Sequence, residues 1–378
     1  MRRLLTLAAA LLLVTASFAH ANTIHVNWNG TADYETIQEA ADAAATGDTI
    51  LIASGTYAGE DNREVVFYNN VVTVMSQAGR RSVTIDGGGV GRGFYFTSGN
   101  DGSVISGLTF QNCSGVYGGG ICGESASVTI SDCDIVACDA TGNIGGGGAC
   151  FRSGGTPILT DVNITSCQGD DGAGMLCYGG ATPTLTRVRF AGNTAASTGG
   201  GCYISSPNGA VSISDCTFYN NTSVSAGAGG GGLYLRGGGV AMTVTGCTFA
   251  WNKGNLGSCI RLYDGASPTI EDCILSFGRV GPPLFRFDED EAPVTSRCIV
   301  YGNEYGDDLL GTVSDTLLRD PRFCGMLSGD LTLCSNSWAL PGNNAWGVQM
   351  GAHGDGGCGE CDSPVEASSW GRIKALYR

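Results

Sequence analysis

The stretch VSISDCTFYNN, residues 211–221, decides the fold of this chain. Val211 and Ile213 alternate with serine, the alternation slips by one residue at Asp215, and Phe218 resumes it. Alternation with a period of two is typical of a strand with one buried face, and a slip in its phase indicates a corner. The stretch therefore predicts two short strands that meet at a bend.

The same pattern recurs at intervals of about 27 residues between Ser103 and Asn303, a length typical of solenoid repeats. An apolar residue or cysteine follows each corner, and a second apolar residue usually stands two positions later. The residues that follow the corners are Leu108, Cys133, Val162, Val188, Cys216, Cys247, Cys273 and Cys298. Such repeats predict a solenoid in which each unit buries its apolar face only against its neighbours.

Glycine-rich turns lead from the corner strands to a third apolar stretch, for example at residues 118–121 and 230–235. The repeats lack the helical periodicity that leucine-rich or helical repeats require. Three short strands per repeat, stacked at about 4.8 Å, predict an all-β chain folded as a single-stranded parallel β-helix.

The two ends of the chain differ from the repeats. An apolar run follows Arg2 and Arg3, and a small-x-small cleavage pattern ends at Ala21, so residues 1–21 are predicted to be a signal peptide. Residues 22–60 are predicted to form an N-terminal cap with an amphipathic helix and a first strand, and residues 61–319 the coils. Residues 320–361, rich in cysteine and glycine, are expected to form an irregular C-terminal cap.

The last segment, residues 362–378, shows no packing partner in the sequence pattern. Its end is locally basic because it carries Arg372, Lys374 and Arg378. Two interpretations stay open, a C-terminal sorting signal and a frayed terminus.

The net charge of −15 limits the partners of this chain. An acidic surface repels nucleic acid and anionic lipid, so neither is an expected partner. No apolar run reaches the 18 residues of a membrane span, and we expect an exported protein, extracellular or on the outer surface of a bacterium. A polysaccharide or a surface or matrix component is the expected partner, although an acidic polymer would need local positive charge or bridging cations.

Seventeen cysteines in an exported chain allow two interpretations. Those that follow the corners are expected to stack inside the coils as small apolar residues. Cys113, Cys138 and Cys167 lie nearer to turns and are the better candidates for bridges between coils. Outside the coils, local bridges are expected for the pairs Cys324/Cys334 and Cys358/Cys361. A zinc site is not expected, since no repeated pairs of finger spacing occur.

Two sets of motifs point to known families. The N-terminal run 33–38, followed by Gly-Asp-Thr-Ile at 47–50, resembles the start of proteins of the pectin-lyase-like superfamily. The motifs FAGN at 190–193, FYNN at 218–221 and FAWN at 249–252, each between Gly-Gly turns, resemble the repeats of polymorphic outer-membrane proteins. Both resemblances imply a right-handed parallel β-helix, and the pectin-lyase-like one includes lyases and hydrolases of polysaccharides.

These motifs also predict a structural ladder. We expect the phenylalanines to fill the coil interior and the asparagine amides to bond to the residues above and below. The phenylalanines are Phe190, Phe218 and Phe249, and the asparagines are Asn193, Asn221, Asn252 and Asn303.

The best candidates for acid–base catalysis are Asp170 and Asp171. Polygalacturonases, which share the pectin-lyase-like fold, combine paired aspartates with a histidine and a basic motif, and this chain offers His353 and the run Arg372–Lys374 in that order. The repeat spacing, however, predicts about seven coils, more than ~30 Å, between Asp171 and His353. Catalysis needs hydrogen-bond reach to one bond, so turn chemistry is the favoured role of the two aspartates.

Other candidates concern ligands rather than catalysis. The acidic run 288–291 makes Asp288 and Asp290 candidates for calcium, against the plainer interpretation of a solvated loop, and no other cofactor is expected. Arg187 and Arg189 are expected to project from one strand face, where they could contact a sugar acid or could equally be exposed strand residues that keep the surface soluble. Five aromatic residues near the corners are candidates for stacking on sugars. They are Tyr203, Tyr219, Tyr234, Trp251 and Tyr263.

Two functional hypotheses follow from these features. The first is an exported, non-enzymatic β-helix protein that acts as an adhesin-like, structural or carbohydrate-binding module at the cell surface. The alternative is a polysaccharide lyase or glycoside hydrolase that works on an extended groove. The fold does not choose between them, since this scaffold carries many activities.

Overall fold

The computed structural model describes residues 21–140, 142, 144–227 and 229–361. The expected signal peptide, apart from Ala21, and the tail at 362–378 therefore lie outside the described residues. Within the described residues, no helix is long and apolar enough to cross a membrane.

The described chain winds into a parallel β-helix, as the repeats predict. Three long sheets of twelve, ten and nine strands, here named A, B and C, form its sides, and a short sheet D of five strands joins them in the middle coils. The strands of successive coils pair in register, for example Phe190 with Phe218 and Phe218 with Phe249. In sheet D the register shifts between Gly169 and Asp171.

The strands of sheet A are Thr23–Val26, Thr49–Ile52, Thr73–Ser76, Val104–Ser106, Thr129–Ser131, Ile158–Thr160, Thr184–Thr186, Val211–Ser214, Met242–Thr245, Thr269–Glu271, Val294–Ser296 and Thr312–Ser314. Those of sheet B are Gly55–Ala58, Val83–Asp86, Leu108–Gln111, Asp134–Val136, Asn163–Thr165, Arg189–Ala191, Thr217–Tyr219, Thr248–Ala250, Ile274–Ser276 and Ile299–Tyr301. Those of sheet C are Val65–Phe67, Phe94–Phe96, Ile121–Glu124, Ala149–Arg152, Met175–Tyr178, Cys202–Ser205, Leu233–Arg236, Ile260–Tyr263 and Leu284–Arg286. Those of sheet D are Ser114–Gly115, Asp139–Ala140, Gln168–Asp171, Thr194–Thr198 and Thr222–Ser223.

The corner predicted at Asp215 separates a strand of sheet A from a strand of sheet B. Asp215 adopts a φ of 54°, the left-handed conformation that lets the chain turn sharply between two extended segments. Asp132, Asp161 and Asp272 take the same conformation at the equivalent corners. Aspartate suits this position because its short polar side chain lowers the cost of the left-handed region.

The interior of the coils is filled by stacked apolar side chains. The rings of Phe190 and Phe218 have centroids 5.0 Å apart, and those of Phe218 and Phe249 lie 4.5 Å apart and nearly parallel. The coils also require glycine where the backbones approach, because a Cβ at Gly201 would lie 2.5 Å from the carbonyl oxygen of Gly232.

The asparagines of the predicted ladder lie buried at the next corner of the coil. The amide nitrogen of Asn193 donates to Oδ1 of Asn221 at 3.0 Å, and that of Asn221 donates to Oδ1 of Asn252 at 3.0 Å. Gly278 interrupts the column, and its backbone N–H donates to Asn303 instead. The residue with the positive φ is the one that precedes each ladder asparagine, for example Asn220, with a φ of 53°, before Asn221. The ladder asparagines therefore contribute hydrogen bonds between coils, and the preceding residues form the turn.

A short helix, Ile37–Ala43, closes the N-terminal end of the solenoid. Thr36 caps the helix, with its side chain and that of Glu39 each accepting from a backbone N–H of the other. The buried face consists of Ile37, Ala40 and Ala41, which cover the apolar interior of the first coils.

The C-terminal cap contains a two-stranded antiparallel sheet, Phe323–Gly325 with Asp330–Leu333, and short 3₁₀ turns at Met326–Ser328 and Pro341–Asn343. Two further 3₁₀ turns, Glu60–Asn62 and Ser98–Asn100, lie among the first coils. The cap forms a second apolar core against the outer face of sheet B, where Ile274 and Ile299 meet Leu333, Ala339 and Met350. The cap therefore lies along the flank of the solenoid rather than only across its end.

The disulfides of the cap differ from the expected pairs. Cys324 bonds to Cys358 and Cys334 to Cys361, so the expected pairs Cys324/Cys334 and Cys358/Cys361 are wrong. The expected pairs relied on proximity in the sequence. The chain instead turns back, so that residues 355–361 lie beside Leu333 and its neighbours.

The bridges expected between coils at Cys113, Cys138 and Cys167 are also wrong, since all three thiols are free and buried. Each sulfur instead lies near a carbonyl oxygen two residues earlier in the chain, at 3.3 Å for Cys113 and 3.5 Å for Cys138 and Cys167. The neighbouring thiol of Cys138, and then burial, raise the pKa of Cys113 far above that of an ordinary thiol. Cys113 lowers the pKa of Cys138, but Cys167 and burial outweigh this effect and raise it. These residues pack as small apolar side chains.

Candidate functional site

The outer face of sheet B carries a cleft of about 400 Å³. Alternate residues of a strand point to opposite faces, so Ile135, Ile164 and Phe190 fill the interior while their neighbours point outward. The cleft is lined by Arg81, Thr84, Thr109, Asp134, Val136, Asn163, Thr165 and Arg189. Five successive coils thus contribute to one groove.

An ionic network around Asp134 forms the middle of this cleft. Arg80 donates to Oδ1 of Asp134 at 2.8 Å, Arg81 donates to Oδ2 at 2.7 Å, and the amide of Asn163 donates to Oδ1 at 2.8 Å. Burial by itself raises the pKa of Asp134, but these hydrogen bonds outweigh it and hold that pKa below its usual value. Asp134 is therefore ionised at neutral pH and committed to its partners.

Arg189 stands two coils away and lacks such a partner. Among the described residues, no carboxylate forms an ion pair with its guanidinium. The guanidinium lies 5.6 Å from the centroid of the Tyr219 ring, a distance that permits a cation–π interaction. Burial lowers the pKa of Arg189 below that of an ordinary guanidinium. A partly buried cation without a counter-ion is a binding element for a carboxylate.

A second unsatisfied group lies in the floor of the cleft. Oγ1 of Thr109 is buried and has no hydrogen-bond partner among the described residues. A buried hydroxyl without a partner costs free energy, and a ligand hydroxyl in the cleft would supply one.

His353 from the C-terminal cap lies where the cleft ends. Its Nε2 is 2.8 Å from Oγ1 of Thr217, which occupies the sheet B position one coil beyond Arg189. Burial lowers the pKa of His353 from 6.5, and the positive charge of Arg189 lowers it further, while Asp330 opposes both. His353 is thus largely neutral at pH 7 and able to accept a proton.

The position of His353 corrects the argument from repeat spacing. The expected separation of about seven coils from Asp171 is wrong, because the cap doubles back along the solenoid. Thr217 lies two strands beyond Asn163–Thr165, the sheet B strand that precedes Asp171, or about 10 Å along the axis by the strand spacing. Distance along the chain therefore does not exclude His353 from a catalytic site.

Asp170 and Asp171 themselves lie on the neighbouring sheet D, outside the residues that line the cleft. Oδ1 of Asp171 accepts from the Thr198 hydroxyl at 2.6 Å and from its backbone N–H at 3.2 Å. These bonds connect two coils, which is a structural role.

Arg187 and Arg189 do not share a face, although they are two positions apart in the sequence. Arg187 occupies a left-handed corner with a φ of 52°, and its guanidinium donates to both carboxylate oxygens of Asp161 at 2.7 Å. Arg189 belongs to a strand of sheet B and points into the cleft. The sequence Arg-Val-Arg at 187–189 does not indicate that the two arginine side chains point in different directions.

The expected calcium ligands lie in an exposed loop. Asp288 accepts a hydrogen bond from the backbone N–H of Asp290 at 3.1 Å, and its own N–H donates to Glu291 at 2.8 Å. Glu291 is fully buried and also accepts from Gly265. These bonds hold the loop together, with Glu291 as its buried member. Within the described residues, the group close enough to share a metal ion is Cys324, Cys334 and Cys358, and all three are in disulfides.

Three of the aromatic residues expected to stack on sugars are buried. Tyr203, Tyr234 and Trp251 are 8%, 5% and 6% exposed. The rings of Tyr203 and Tyr234 stack on each other with centroids 4.5 Å apart. Tyr203 and Tyr234 cover each other because their coils stack in register, and Trp251 lies against Met326 of the C-terminal cap, so this expectation is wrong for these three residues.

Comparisons with known proteins agree with this architecture. The family model described as right handed beta helix region matches residues 76–249 and 143–323. The structure of pectate lyase Pel9A is similar over 90% of this chain and 98% of its own, with 13% identity and a TM-score of 0.55. The deglycosylated pectin methylesterase from Aspergillus niger has 14% identity over 80% of this chain and 91% of its own, with a TM-score of 0.39. The pectin methylesterase from carrot has 13% identity over 82% of this chain and 94% of its own, with a TM-score of 0.40. No curated protein sequence matches this chain significantly.

Proposed function

The chain belongs to the family of right-handed β-helix proteins, and on that scaffold we propose that it binds an acidic polysaccharide in the cleft of sheet B and cleaves it by β-elimination. The observation that carries this proposal is the guanidinium of Arg189, which forms no ion pair among the described residues and lines a groove that ends near a neutral His353. The fold that the chain shares with a pectate lyase is compatible with this activity.

Each residue has a defined part in the proposed reaction. Arg189 would bind the carboxylate of a uronate residue and stabilise the negative charge that develops there when the adjacent carbon loses its proton. His353, with the proton on Nε2 donated to Thr217, would keep a free lone pair on Nδ1 for that proton. The electron pair of the C–H bond forms the new C=C bond as the glycosidic C–O bond breaks. The leaving oxygen then takes a proton from water.

The same geometry argues against a glycoside hydrolase. Hydrolysis ordinarily requires two carboxyl groups that flank the scissile bond, one of them protonated. Among the described residues that line the cleft, Asp134 is the single carboxylate, and its bonds to Arg80, Arg81 and Asn163 keep it ionised. Elimination needs a base and a cation, and both are present at this end of the cleft.

Activity assays test the proposal directly. Polygalacturonate, alginate and a neutral glucan would be incubated with the protein, in chelator and in calcium, while ultraviolet absorbance follows the unsaturated product. We expect product from an acidic polymer only, and a loss of about 10²–10⁴-fold in rate for His353→Ala, the usual contribution of a general base. Binding of acidic polymer without product would overturn the elimination and favour the carbohydrate-binding hypothesis. Failure to bind any of the polymers would contradict both.

Export remains part of this proposal. Residues 1–21 would direct the chain out of the cell, where extended polysaccharides occur. Cell fractionation of the full chain and of a variant without these residues would test it, with an intracellular location of the full chain as the contrary result.

A further inference from the structure

The outer face of sheet B changes character along the axis. In the first six strands most of the equivalent outward residues are accessible, with Thr56 exposed and Thr84 and Asn163 half-buried, whereas Asp134 is buried under its arginine partners. From the seventh strand onward, the first outward residue of every strand is buried. Thr217 is 3% exposed, and Thr248, Ile274 and Ile299 are fully buried.

The cause of this change is the C-terminal cap. His353 bonds to Thr217, and the backbone N–H of Ala352 donates to Oγ1 of Thr248 at 2.9 Å. One coil further along, Gly351 donates to the carbonyl oxygen of Asp272 at 2.7 Å. The cap thus follows sheet B coil by coil and fills the space that the groove would otherwise continue into.

A second part of the cap, around Met326 and Gly329, also lies against sheet B, and the two parts together form the wall that closes the groove. The hydroxyl of Tyr219 donates to the carbonyl oxygen of Met326 at 2.9 Å, and Nε1 of Trp251 lies 2.9 Å from the sulfur of Met326. Gly329 lies next to both Tyr219 and Arg189, and a Cβ there would be 3.4 Å from the Arg189 guanidinium. The guanidinium of Arg189 therefore lies next to this wall.

The open part of the groove is short. From Thr84 to Arg189 it crosses four strand spacings, or about 19 Å. It continues toward Thr56 at the N-terminal side, and Arg81 flanks it with a largely exposed side chain. The groove is thus open at one end and closed at the other.

From this geometry we propose that the cleft accepts the terminus of an acidic glycan chain, with the end residue against the cap and its carboxylate on Arg189. This inference rests on the proposed binding of an acidic polysaccharide. A glycan that continued past Arg189 would collide with protein residues 326–329 and with His353. The cleft therefore does not fit an internal stretch of a longer glycan. Cleavage at this end would release short products of uniform length.

Binding stoichiometry tests the inference independently of cleavage. Calorimetric titration would compare oligogalacturonides of two defined lengths, one short and one several times longer, using His353→Ala if the wild type degrades them. We expect one protein per chain at both lengths, because each chain offers one such terminus. Several proteins bound to each long chain would overturn the terminal mode and leave the proposed polysaccharide binding intact. Absence of binding at both lengths would overturn the proposed function itself, and this inference with it.

Product analysis of the wild type gives a second readout. Attack at a terminus lowers the viscosity of a polymer slowly relative to the unsaturated ends formed, and yields one short product size. Rapid loss of viscosity with a broad range of products would contradict the inference. Arg187→Ala, which removes a cation paired with Asp161 outside the cleft, is the matched control and should keep the wild-type product pattern.

Discussion

The imidazole Nε2 of His353 lies 2.8 Å from the hydroxyl of Thr217, although 136 positions separate the two residues in the sequence. This contact joins the C-terminal cap to the β-helix at the end of the cleft. It brings an imidazole close enough to Arg189 for the positive charge of the arginine to lower the histidine pKa. The contact therefore positions the proposed general base at the end of the cleft.

The first prediction concerns the hydrogen bond itself. Thr217→Val keeps the shape of a buried side chain but removes the partner of His353. We expect a loss of about 1 kcal/mol of transition-state stabilisation, or roughly fivefold in kcat/KM, because a neutral hydrogen bond contributes about that much. Steady-state rates on the acidic polymer measure it. Thr248→Val, which removes a hydroxyl that accepts from Ala352 rather than from His353, is the control and should keep kcat/KM within twofold.

The second prediction concerns pH. The pKa of His353 is lowered below 6.5 by burial first and by Arg189 second, so removal of the Arg189 charge should raise it. Titration by NMR should show a higher His353 pKa in Arg189→Met than in the wild type, and still below 6.5 because burial persists. An unchanged pKa in this variant would show that Arg189 does not act on His353.

The same shift affects the stability of the cap. In the unfolded chain His353 binds a proton near pH 6.5, whereas in the folded chain it does so only at lower pH. The stabilisation is therefore present above pH 6.5 and is lost as the pH falls through the folded-state pKa. The protection factors of residues 320–361 against hydrogen exchange should fall over this interval, and His353→Gln should remove this pH dependence.

The third prediction concerns the asparagine ladder. Asn221 accepts from the backbone and the amide of Asn193 and donates to Asn252, all within the buried interior. Asn221→Ala leaves several buried groups without partners, each of which costs about 1–3 kcal/mol, so we expect at least ~3 kcal/mol of destabilisation. Urea unfolding measures it. Asn208→Ala, at an exposed turn, is the control and should change the midpoint little. Equal midpoints for both variants would contradict the structural role of the ladder.

The fourth prediction concerns the cap disulfides. The Cys324–Cys358 bond closes a loop of 34 residues, and loops of this size are stabilised by about 3–4 kcal/mol. The double variant Cys324→Ser/Cys358→Ser should loosen the cap and lower activity, while the circular dichroism of the coils persists. Peptide mapping of the wild type should also recover a Cys324–Cys358 linkage. A Cys324–Cys334 linkage would instead restore the pairing expected from sequence proximity.

The sequence predicted the coils well because each repeat is a local pattern. The alternation at Val211 and Ile213, the slip at Asp215 and the position of Phe218 are properties of adjacent residues, and in-register stacking copies them along the axis. Because the same local pattern recurs in each repeat, it predicts the architecture of the whole solenoid.

The cleft could not be predicted in the same way. Arg187 and Arg189 stand in one short motif, yet a positive φ turns the first away from the cleft. His353 reaches the cleft only because the irregular cap folds back, and irregular loops carry no period from which their path can be read. One available signal was Asp134, a charged residue at a position that most other coils fill with threonine or asparagine.

The most direct test of this account is the affinity of a short oligogalacturonide for Arg189→Ala, with Arg187→Ala as the matched control. A hydrogen-bonded charge pair contributes about 1.5–3 kcal/mol, so we expect Kd to rise roughly ten- to hundredfold for Arg189→Ala and to stay at the wild-type value for Arg187→Ala. Wild-type affinity in the Arg189 variant would contradict the central claim that this unpaired cation binds the acidic sugar.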